Sequence, residues 1–464
     1  MLTSLRIQNF KSWADTGELR LAPLTGLFGS NSSGKSSILQ FLLMLKQTAE
    51  STDRAQVLNF GNDLTQVELG TFGDILYAHD RNRRLEFDIS WRSLQLLPFY
   101  DGSGYTGGRV VNSLGFTAKL KAASNAVGLQ PIVESFEYRI IETDSTSRVR
   151  AGVATSEGSS TPDYELRTCG FPPRSAGLPA QVMRKPTKYY GFPENIPTIY
   201  PDTGYLWNFA WALEEELGRI FYLGPLRDNP KRHYAWSGGR PSDVGHGGES
   251  VVDALLGSRD DLPGIQVESR RKPVMLEERV ALWLKELGLV AKFRVAPIVE
   301  GSNLYQVLVR RTNLSAEVPL TDVGFGVSQV LPVITLLYYV PEGSTVILEQ
   351  PEIHLHPSVQ SGLADVILDA IKIRKIQVIV ESHSEHFLRR IQRRIAEDQY
   401  PVSDAVLYFC ALGKDGASTA EVLDVDDVGN IRNWPKDFFG NDFREIAEMT
   451  IAQQRRKIAM AANQ

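Results

Sequence analysis

The sequence predicts an α/β protein with a partly parallel sheet, and three observations support this prediction. Strand-like and helix-like runs alternate at both ends of the chain, over about the first 90 and the last 140 residues. A glycine-rich loop joins the apolar run Leu24–Phe28 to the helix-like run Ile38–Leu45. Two later apolar runs, 344–348 and 377–380, are each followed by polar residues. Such alternation is typical of a sheet that is covered by helices and carries ligand-binding residues at its strand ends.

Composition excludes several classes of protein. The chain has 464 residues, which suggests two or three domains, and its 42% hydrophobic and 23% charged residues are ordinary for a globular protein. The net charge of -5 indicates no general affinity for nucleic acid. Two cysteines, Cys169 and Cys410, make no disulfide framework. The longest apolar run, Val330–Val340, is too short to span a membrane, so we expect a cytoplasmic protein.

The glycine-rich loop fits the pattern G-x-x-x-x-G-K-[ST] of a phosphate-binding loop. Backbone N–H groups of such a loop and of the following helix form a nest for phosphate oxygens. In this pattern the lysine reaches the β- and γ-phosphates, and the serine hydroxyl binds Mg²⁺. The alternative is a Ser/Gly loop that merely caps a helix. The candidate nucleotide-binding residues are Gly29, Ser30, Asn31, Ser32, Ser33, Gly34, Lys35, Ser36 and Ser37.

Two apolar strands that end in polar residues supply the remaining candidates. The run 344–348 is followed by Glu349, Gln350 and Glu352, and we expect Glu349 to face Mg²⁺ together with Ser36. The run 377–380 is followed by Glu381-Ser-His383. The candidate catalytic residues are Glu349, Gln350, Glu352 and His383.

These motifs and their spacing resemble the ABC-type ATPases, in particular the SMC, RecF-like and OLD-like branch. The N-terminal Leu5-Arg-Ile-Gln-Asn-Phe-Lys-Ser is similar to the start of that branch. The resemblance implies that a signature helix contacts the ATP of a second subunit, and that His383 is the switch histidine. The residues at the signature position are Gly324, Gly326, Ser328 and Gln329.

A bacterial subfamily provides a closer resemblance. It shares Glu-Gln-Pro-Glu-x-His-Leu-His-Pro, here 349–357, and Gly-Pro-Leu-Arg, here 224–227. It also has a C-terminal domain of unknown function that looks like 426–439. The resemblance implies an ABC-type P-loop ATPase head with a β-rich insertion and without a long coiled coil or transmembrane segment. The expected divisions are an N-terminal ATPase segment (1–90), the insertion (91–220), a C-terminal ATPase segment (221–410) and the tail (411–464).

Gln350 departs from the wider ABC pattern. Most members of that class have at this position a glutamate that activates water, whereas glutamine cannot accept the proton of water as a general base. Either Glu352 or a histidine does this work and hydrolysis is slow, or the protein is an ATP-gated clamp that does not turn over. Glutamine can still orient water, as in some GTPases.

Other motifs allow different interpretations. His354, His356, His383 and His386, with glutamates nearby, would also suit a zinc hydrolase. Asp424-Val-Asp426 could belong to a metal-dependent nuclease, although no preceding Glu-Gly strand end supports this and a turn is favoured. Arg227 could reach a phosphate or stabilise its loop. A basic stripe on one helix could bind phosphate or form a solvated face; its members are Arg389, Arg390, Arg393 and Arg394.

The sequence therefore favours an ATP-binding and hydrolysing enzyme with ATP and Mg²⁺ as cofactors. By resemblance it would act as a homodimer or larger homo-oligomer, as a sensor or motor in antiphage defence or genome maintenance. A separate effector protein is expected, nucleic acid is a possible further partner, and no membrane is involved. The alternatives are a non-hydrolysing ATP-gated clamp and, less favoured, a metal-dependent nuclease.

Overall fold

The computed structural model describes residues 1–99, 109–125, 128–141, 149–155, 163–170, 173, 182–259, 264–265, 272–435, 438 and 449–454. The strands are β1 Leu2–Phe10, β2 Trp13–Asp15, β3 Leu19–Arg20, β4 Leu24–Gly29, β5 Leu85–Phe99, β6 Arg109–Asn125, β7 Gly128–Ile140, β8 Arg150–Thr155, β9 Tyr164–Cys169, β10 Ile220–Leu223, β11 Tyr234–Ala235, β12 Lys292–Pro297, β13 Leu304–Arg310, β14 Val318–Pro319, β15 Thr345–Glu349, β16 Gln377–Glu381, β17 Ala405–Leu412 and β18 Ser418–Val422. The α-helices are α1 Lys35–Glu50, α2 Phe72–Ile75, α3 Ile196–Ile199, α4 Leu206–Gly218, α5 Val251–Gly257, α6 Leu276–Glu286, α7 Phe325–Tyr339, α8 Pro357–Arg374 and α9 Glu385–Ala396.

A six-stranded sheet lies at the centre of the molecule, with the order β10-β15-β16-β4-β17-β18. The first five strands run parallel, and β18 pairs with β17 in the antiparallel direction. Because parallel strands end at the same edge of a sheet, β4, β15 and β16 bring the glycine-rich loop and the two polar strand ends together. The α/β fold class is confirmed.

A second, antiparallel sheet has the order β2-β1-β5-β6-β7-β8-β9, and β3 also pairs with β1. Strand β5 runs across position 90, where the sequence suggests the start of an insertion. Strands β6 to β9 therefore extend a sheet that begins with the N-terminal strands, and the β-rich region continues the N-terminal ATPase segment in space. A third, smaller sheet joins β11, β13, β12 and β14.

The alternating side chains of the central strands divide the core in two. Ile347 and Ile379 belong to the cluster that includes α1, α4 and the antiparallel sheet. Their neighbours Val346, Val378 and Val380 belong to the cluster with α7, α8 and α9. Strands covered on both faces read as continuous apolar runs, which is why the two central strands are conspicuous in the sequence.

A helix that crosses a lipid bilayer needs about 20 predominantly apolar residues. Among the residues that the structure describes, no helix has the length and hydrophobicity needed to cross one.

Candidate functional site

The glycine-rich loop connects the end of β4 to the start of α1, and two of its glycines are required by the backbone. Gly29 has φ 138°, and a Cβ there would lie 2.0 Å from the carbonyl oxygen of Cys410. Gly34 has φ 87°, and a Cβ there would lie 2.5 Å from Oγ of Ser418. Any other residue would clash at both positions, so the loop conformation depends on glycine. Helix α1 begins directly after it at Lys35, as a phosphate-binding loop requires.

Lys35 lies in this loop with its ammonium group turned back toward the backbone. Nζ donates hydrogen bonds to the carbonyl oxygen of Ser30 at 2.7 Å and to that of Gly29 at 3.2 Å. Burial lowers the pKa of Lys35, while the nearby carboxylate of Glu381 acts in the opposite direction. The lysine is therefore a buried cation held by weak neutral acceptors, to which a phosphate oxygen would be a stronger partner.

Ser36 follows Lys35 and makes the most informative contact of the site. Its Oγ donates a hydrogen bond of 2.8 Å to Oε2 of Glu381, at the end of β16. The other oxygen of Glu381 lies 3.9 Å from Nζ of Lys35. Glu381 is 2% exposed, and burial raises its pKa to about 7. The sequence pattern suggests Glu381 only as part of a histidine-rich metal centre, so its contact with the loop is a finding of the structure.

The end of β15 carries Glu349 and Gln350 beside Glu381. Glu349 pairs with Glu381 in the parallel register, and its Oε2 accepts a hydrogen bond of 2.8 Å from the hydroxyl of Tyr222 on β10. Gln350 has φ 44°, and its backbone N–H donates to the carbonyl oxygen of Glu381 at 2.9 Å. The side chain of Gln350 lies close enough to the Glu381 carboxylate to lower its pKa, against the larger effect of burial. Two adjacent strand ends thus present their polar side chains as one group.

Glu352 connects the segments that follow the two strands. Its Oε1 accepts hydrogen bonds from the hydroxyl of Ser382 at 2.8 Å and from the backbone N–H of His383 at 2.7 Å. Burial raises the pKa of Glu352, and its Oε2 has no hydrogen-bond partner among the described residues. These contacts hold the His383 segment in place, which favours a positioning role for Glu352.

His383 faces the same pocket as the glycine-rich loop. Its Nε2 lies 4.0 Å from Oε1 of Glu381, and the nearby backbone of Gly29 acts to raise its pKa. Burial and then the Lys35 charge lower its pKa, so the ring is favoured in its neutral form. The residues that line this pocket are Ser12, Asn31, Ser32, Ser33, Gly34, Lys35, Ser36, Ser37, Gln350, Glu381 and His383.

The predicted signature residues lie elsewhere in the chain's own structure. Gly324 caps the N-terminus of α7, and both it and Phe325 are exposed. Ser328 and Gln329 are buried, and the hydroxyl of Ser328 donates to the carbonyl oxygen of Phe325 at 2.9 Å. Among the described residues, the lining of the loop pocket includes no residue of this helix. The helix N-terminus is thus accessible to another molecule.

Arg227 lies near Glu349 as a half-buried residue whose guanidinium nitrogens are buried. Within the described part of the chain, its three guanidinium nitrogens have no hydrogen-bond partner. Burial lowers its pKa to about 10, against the attraction of Tyr222, Glu349 and Glu352. The structure thus places Arg227 beside the acidic strand end and outside the described lining of the loop pocket.

The first histidine pair, His354 and His356, lies at the surface, whereas His383 of the second pair lines the loop pocket. His354 and His356 are exposed, and Nδ1 of His356 accepts a hydrogen bond from the backbone N–H of Ser358 at the start of α8. No group of three His, Cys, Asp or Glu side chains suited to a metal ion occurs in the segments that the structure describes. These positions give no support to the zinc hydrolase hypothesis.

The Asp-x-Asp motif is placed in a turn. The carboxylate of Asp426 accepts hydrogen bonds from the backbone N–H groups of Val428 and Asn430 at 3.1 and 2.8 Å. This geometry supports the turn interpretation rather than a nuclease site.

The basic stripe on α9 is paired with acidic side chains. Arg390 and Arg394 both form ion pairs with Asp365, at 2.5 and 2.6 Å. Arg389 and Arg393 pair with Glu385 and Glu397 one turn away. The stripe therefore resembles a charged helix face more than a phosphate-binding patch.

The donor set at the strand ends fits Mg²⁺ with a bound nucleotide. A serine hydroxyl and two carboxylates, those of Ser36, Glu349 and Glu381, are hard oxygen ligands of the kind that Mg²⁺ prefers. Mg²⁺ in nucleotide sites takes one or two carboxylates and completes its shell with phosphate oxygens and water. An incomplete protein shell is what such a site requires.

Family models match three segments of the chain. Residues 1–97 match the AAA ATPase domain, and 288–389 match an AAA domain with a provisional assignment to the AbiEii toxin of type IV toxin–antitoxin systems. Residues 401–449 match a protein family of unknown function, DUF3696. No curated protein matches the chain.

Several solved structures align with most of this chain at low identity. An SMC head bound to the C-terminal winged-helix domain of ScpA shares 11% identity, with a TM-score of 0.45 over 91% of this chain and 98% of that chain. The SMC head domain from Thermotoga maritima shares 11%, with a TM-score of 0.39 over 91% and 99%. An SMC head domain with an extended coiled coil, bound to the C-terminal domain of ScpA derived from Pyrococcus furiosus, shares 10%, with a TM-score of 0.42 over 91% and 96%.

The family matches coincide with the parts of the site described above. The AAA segment at the N-terminus contains β4, the glycine-rich loop and α1, and the second contains α7, β15 and β16. Together with the loop geometry and the strand order, these matches identify two AAA ATPase segments in the chain, followed by a segment of a family of unknown function.

Proposed function

We propose that the protein binds ATP and Mg²⁺ at the loop pocket and hydrolyses ATP in an assembly of at least two copies. The phosphates would lie in the nest formed by the loop and the N-terminus of α1, against Lys35. Ser36 and Glu349 would hold Mg²⁺, which neutralises charge that develops on the phosphates. Gln350 and His383 would orient the attacking water.

A second copy is expected because each chain carries two separate halves of a site. The loop pocket is open, and the exposed N-terminus of α7 lies outside it. A helix N-terminus with an exposed glycine is suited to contact an anionic phosphate. The observation that supports the assembly best is this separation of the pocket from Gly324 and Ser328 within one chain. Closure of two copies over ATP would join the halves.

Slow hydrolysis and a coupled effector complete the proposal. Gln350 lacks the basicity of the usual glutamate, so turnover would be slow. ATP binding would then control the conformation of the assembly for longer than one rapid hydrolysis cycle. The match to an AAA domain with a provisional toxin–antitoxin assignment favours a role in bacterial antiphage defence, with genome maintenance as the alternative. A separate effector protein would bind the open and the closed assembly with different affinities.

The test measures phosphate release and ATP binding across a range of protein concentrations. Lys35→Ala should weaken ATP binding at least about 100-fold, or about 2.7 kcal/mol, because it removes the cation that faces the phosphates. Turnover per chain should rise with concentration for the wild type. Turnover that is independent of concentration and unaffected by Lys35→Ala would contradict the proposal.

A mixing experiment tests the composite site more sharply. A Cβ at Gly324 meets no described atom within 4 Å, so Gly324→Asp should fold normally while placing a negative charge where a phosphate is expected. Gly324→Ala is the matched uncharged control and should retain activity. Lys35→Ala and Gly324→Asp should each be inactive alone, whereas an equal mixture should recover about a quarter of wild-type turnover if the unit is a symmetric dimer. No recovery in stable mixed dimers would contradict a shared site.

A second candidate function is an ATP-gated clamp without turnover, and Gln350 is the observation that favours it. ATP would then be trapped between two copies, and radiolabelled ATP would be recovered unchanged from the complex. Multiple turnovers per site would exclude this alternative.

A further inference from the structure

Glu381 is a buried carboxylate to which the proposed function assigns no role. It is 2% exposed and ends β16 at the edge where the phosphates are expected. One oxygen accepts the Ser36 hydroxyl at 2.8 Å, and the other lies 3.9 Å from Nζ of Lys35 and 4.0 Å from Nε2 of His383. A carboxylate here costs solvation free energy and lies where anionic phosphates would arrive. A further cation beside Glu381 would offset both costs.

The strand register identifies where that cation would lie. Glu349 and Glu381 are directly paired on adjacent parallel strands, so their backbones are about 4.8 Å apart. Oε2 of Glu349 is engaged by the hydroxyl of Tyr222 on β10, the neighbour of β15 on the side away from β16. Glu381 rather than Glu349 makes the hydrogen bond to Ser36, whose hydroxyl is the expected Mg²⁺ ligand. A cation bound at Ser36 would therefore meet Glu381 without a large rearrangement.

The lysine alone does not balance this carboxylate. Lys35 is already hydrogen-bonded to Ser30 and Gly29, and it is needed by the phosphates when ATP arrives. The buried carboxylate Glu352 and the neighbouring Glu349 add further negative charge, part of which the nearby Arg227 guanidinium offsets. A divalent cation beside Ser36 would offset these charges and accept oxygen ligands from both the protein and the phosphates.

We propose that Glu381 is a carboxylate ligand of the nucleotide-bound Mg²⁺, held directly or through one water, so that the metal is shared between the ends of β15 and β16. The proposal rests on the proposed function, since the metal enters with ATP. It adds a residue to a site in which the sequence pattern assigns the metal to Ser36 and Glu349. Glu381 would make ATP affinity depend on Mg²⁺ while opposing binding of the bare nucleotide.

The test measures binding of a fluorescent ATP analogue with Mg²⁺ and with excess EDTA. In the wild type, Mg²⁺ should tighten binding by about tenfold, which is about 1.4 kcal/mol. In Glu381→Gln this advantage should fall below about twofold, while affinity in EDTA should stay equal or rise because a negative charge is removed. Glu385→Gln, at a partly exposed position at the start of α9, is the matched control and should keep the full advantage. With Mn²⁺ in place of Mg²⁺, electron paramagnetic resonance should show weaker Mn²⁺ retention in the Glu381 variant.

Three outcomes would overturn the inference. In the first, Glu381→Gln keeps the full Mg²⁺ advantage. In the second, it loses affinity equally with and without metal, which would indicate a structural role. In the third, Glu381→Asp, which keeps the charge, behaves like Glu381→Gln with no partial recovery.

Failure of the wild type to bind ATP at all would instead contradict the proposed function. Thermal melting of each variant without nucleotide distinguishes misfolding from a lost ligand.

Discussion

The ends of β15 and β16 are adjacent, in register and chemically similar, yet their surroundings differ. β15 ends in Glu349, which is half-buried and bound to Tyr222. β16 ends in Glu381, which is buried and bound to Ser36 of the glycine-rich loop. The position after Glu349 holds Gln350, whose backbone N–H donates to the carbonyl oxygen of Glu381 at 2.9 Å and whose side chain lowers the pKa of the Glu381 carboxylate. Two glutamates one strand apart therefore have different partners, and the partners rather than the residue type indicate the role.

This comparison also gives a reason for the glutamine. A glutamate at position 350 would place a second carboxylate against Glu381 in a half-buried pocket, and like charges there destabilise each other. A glutamine can donate a hydrogen bond to Glu381 instead. The glutamine at position 350 and the glutamate at position 381 are thus linked, because the neutral side chain on one strand avoids repulsion with the carboxylate on the next.

The largest effect is expected when the side chains at positions 350 and 381 are exchanged. Gln350→Glu alone should lower the free energy of unfolding without nucleotide by about 2 kcal/mol at pH 8, because it replaces a hydrogen bond by carboxylate repulsion. Adding Glu381→Gln in the same chain should restore most of that loss. Chemical denaturation of the two single variants and the double variant measures the coupling. Additive effects would show that the two side chains do not interact.

An effect of intermediate size is expected on the pH dependence of stability, through Glu352. This residue accepts hydrogen bonds from the segment after β16. Its pKa is raised by burial, so the native state holds this proton more tightly than the unfolded chain, and the contribution of Glu352 to stability falls as pH rises above about 4.5. Glu352→Gln cannot titrate. The wild type should therefore lose more unfolding free energy than the variant as pH rises above about 4.5. Parallel pH profiles for the two proteins would contradict this assignment.

The smallest expected effect concerns the β15 end. Tyr222→Phe removes one hydrogen bond to a half-buried carboxylate and should cost about 0.5 kcal/mol of stability. Mg²⁺-dependent ATP affinity should fall only slightly, since Glu381 keeps its contact with Ser36. If Tyr222→Phe lost as much Mg²⁺ dependence as Glu381→Gln, the roles of the two glutamates would be reversed, and Glu349 would be the main metal ligand.

Much of the site is local in sequence and was therefore predictable. The loop 29–36 requires glycine, lysine and serine at fixed spacing, because one short turn must bring backbone N–H groups to a phosphate. The apolar runs that became β4, β15 and β16 are continuous because both faces are covered. The signal that could have identified Glu381 was also present, since Val-Ile-Leu-Glu and Val-Ile-Val-Glu end the two strands alike.

The expected domain division shows the limit of such reasoning. A change in composition near residue 91 suggests an insertion, but β5 continues to Phe99 and pairs with both β1 and β6. Sheet pairing joins segments that are distant in the chain, and composition does not report it. Composition could not place Arg227 either. Its guanidinium nitrogens are buried without a hydrogen-bond partner among the described residues, and this depends on the packing of several elements around them.

The sequence by itself determined the phosphate-binding loop, the α/β class and the two polar strand ends, since each depends on residues that are close in the chain. Tertiary structure alone decided which strand lies beside which, and hence that β16 separates β4 from β15. That order places Glu381 against Ser36 and leaves Glu349 with Tyr222. The physical reason is that hydrogen-bonded neighbours in a parallel sheet are set by crossover helices and core packing over hundreds of residues, which local patterns do not encode.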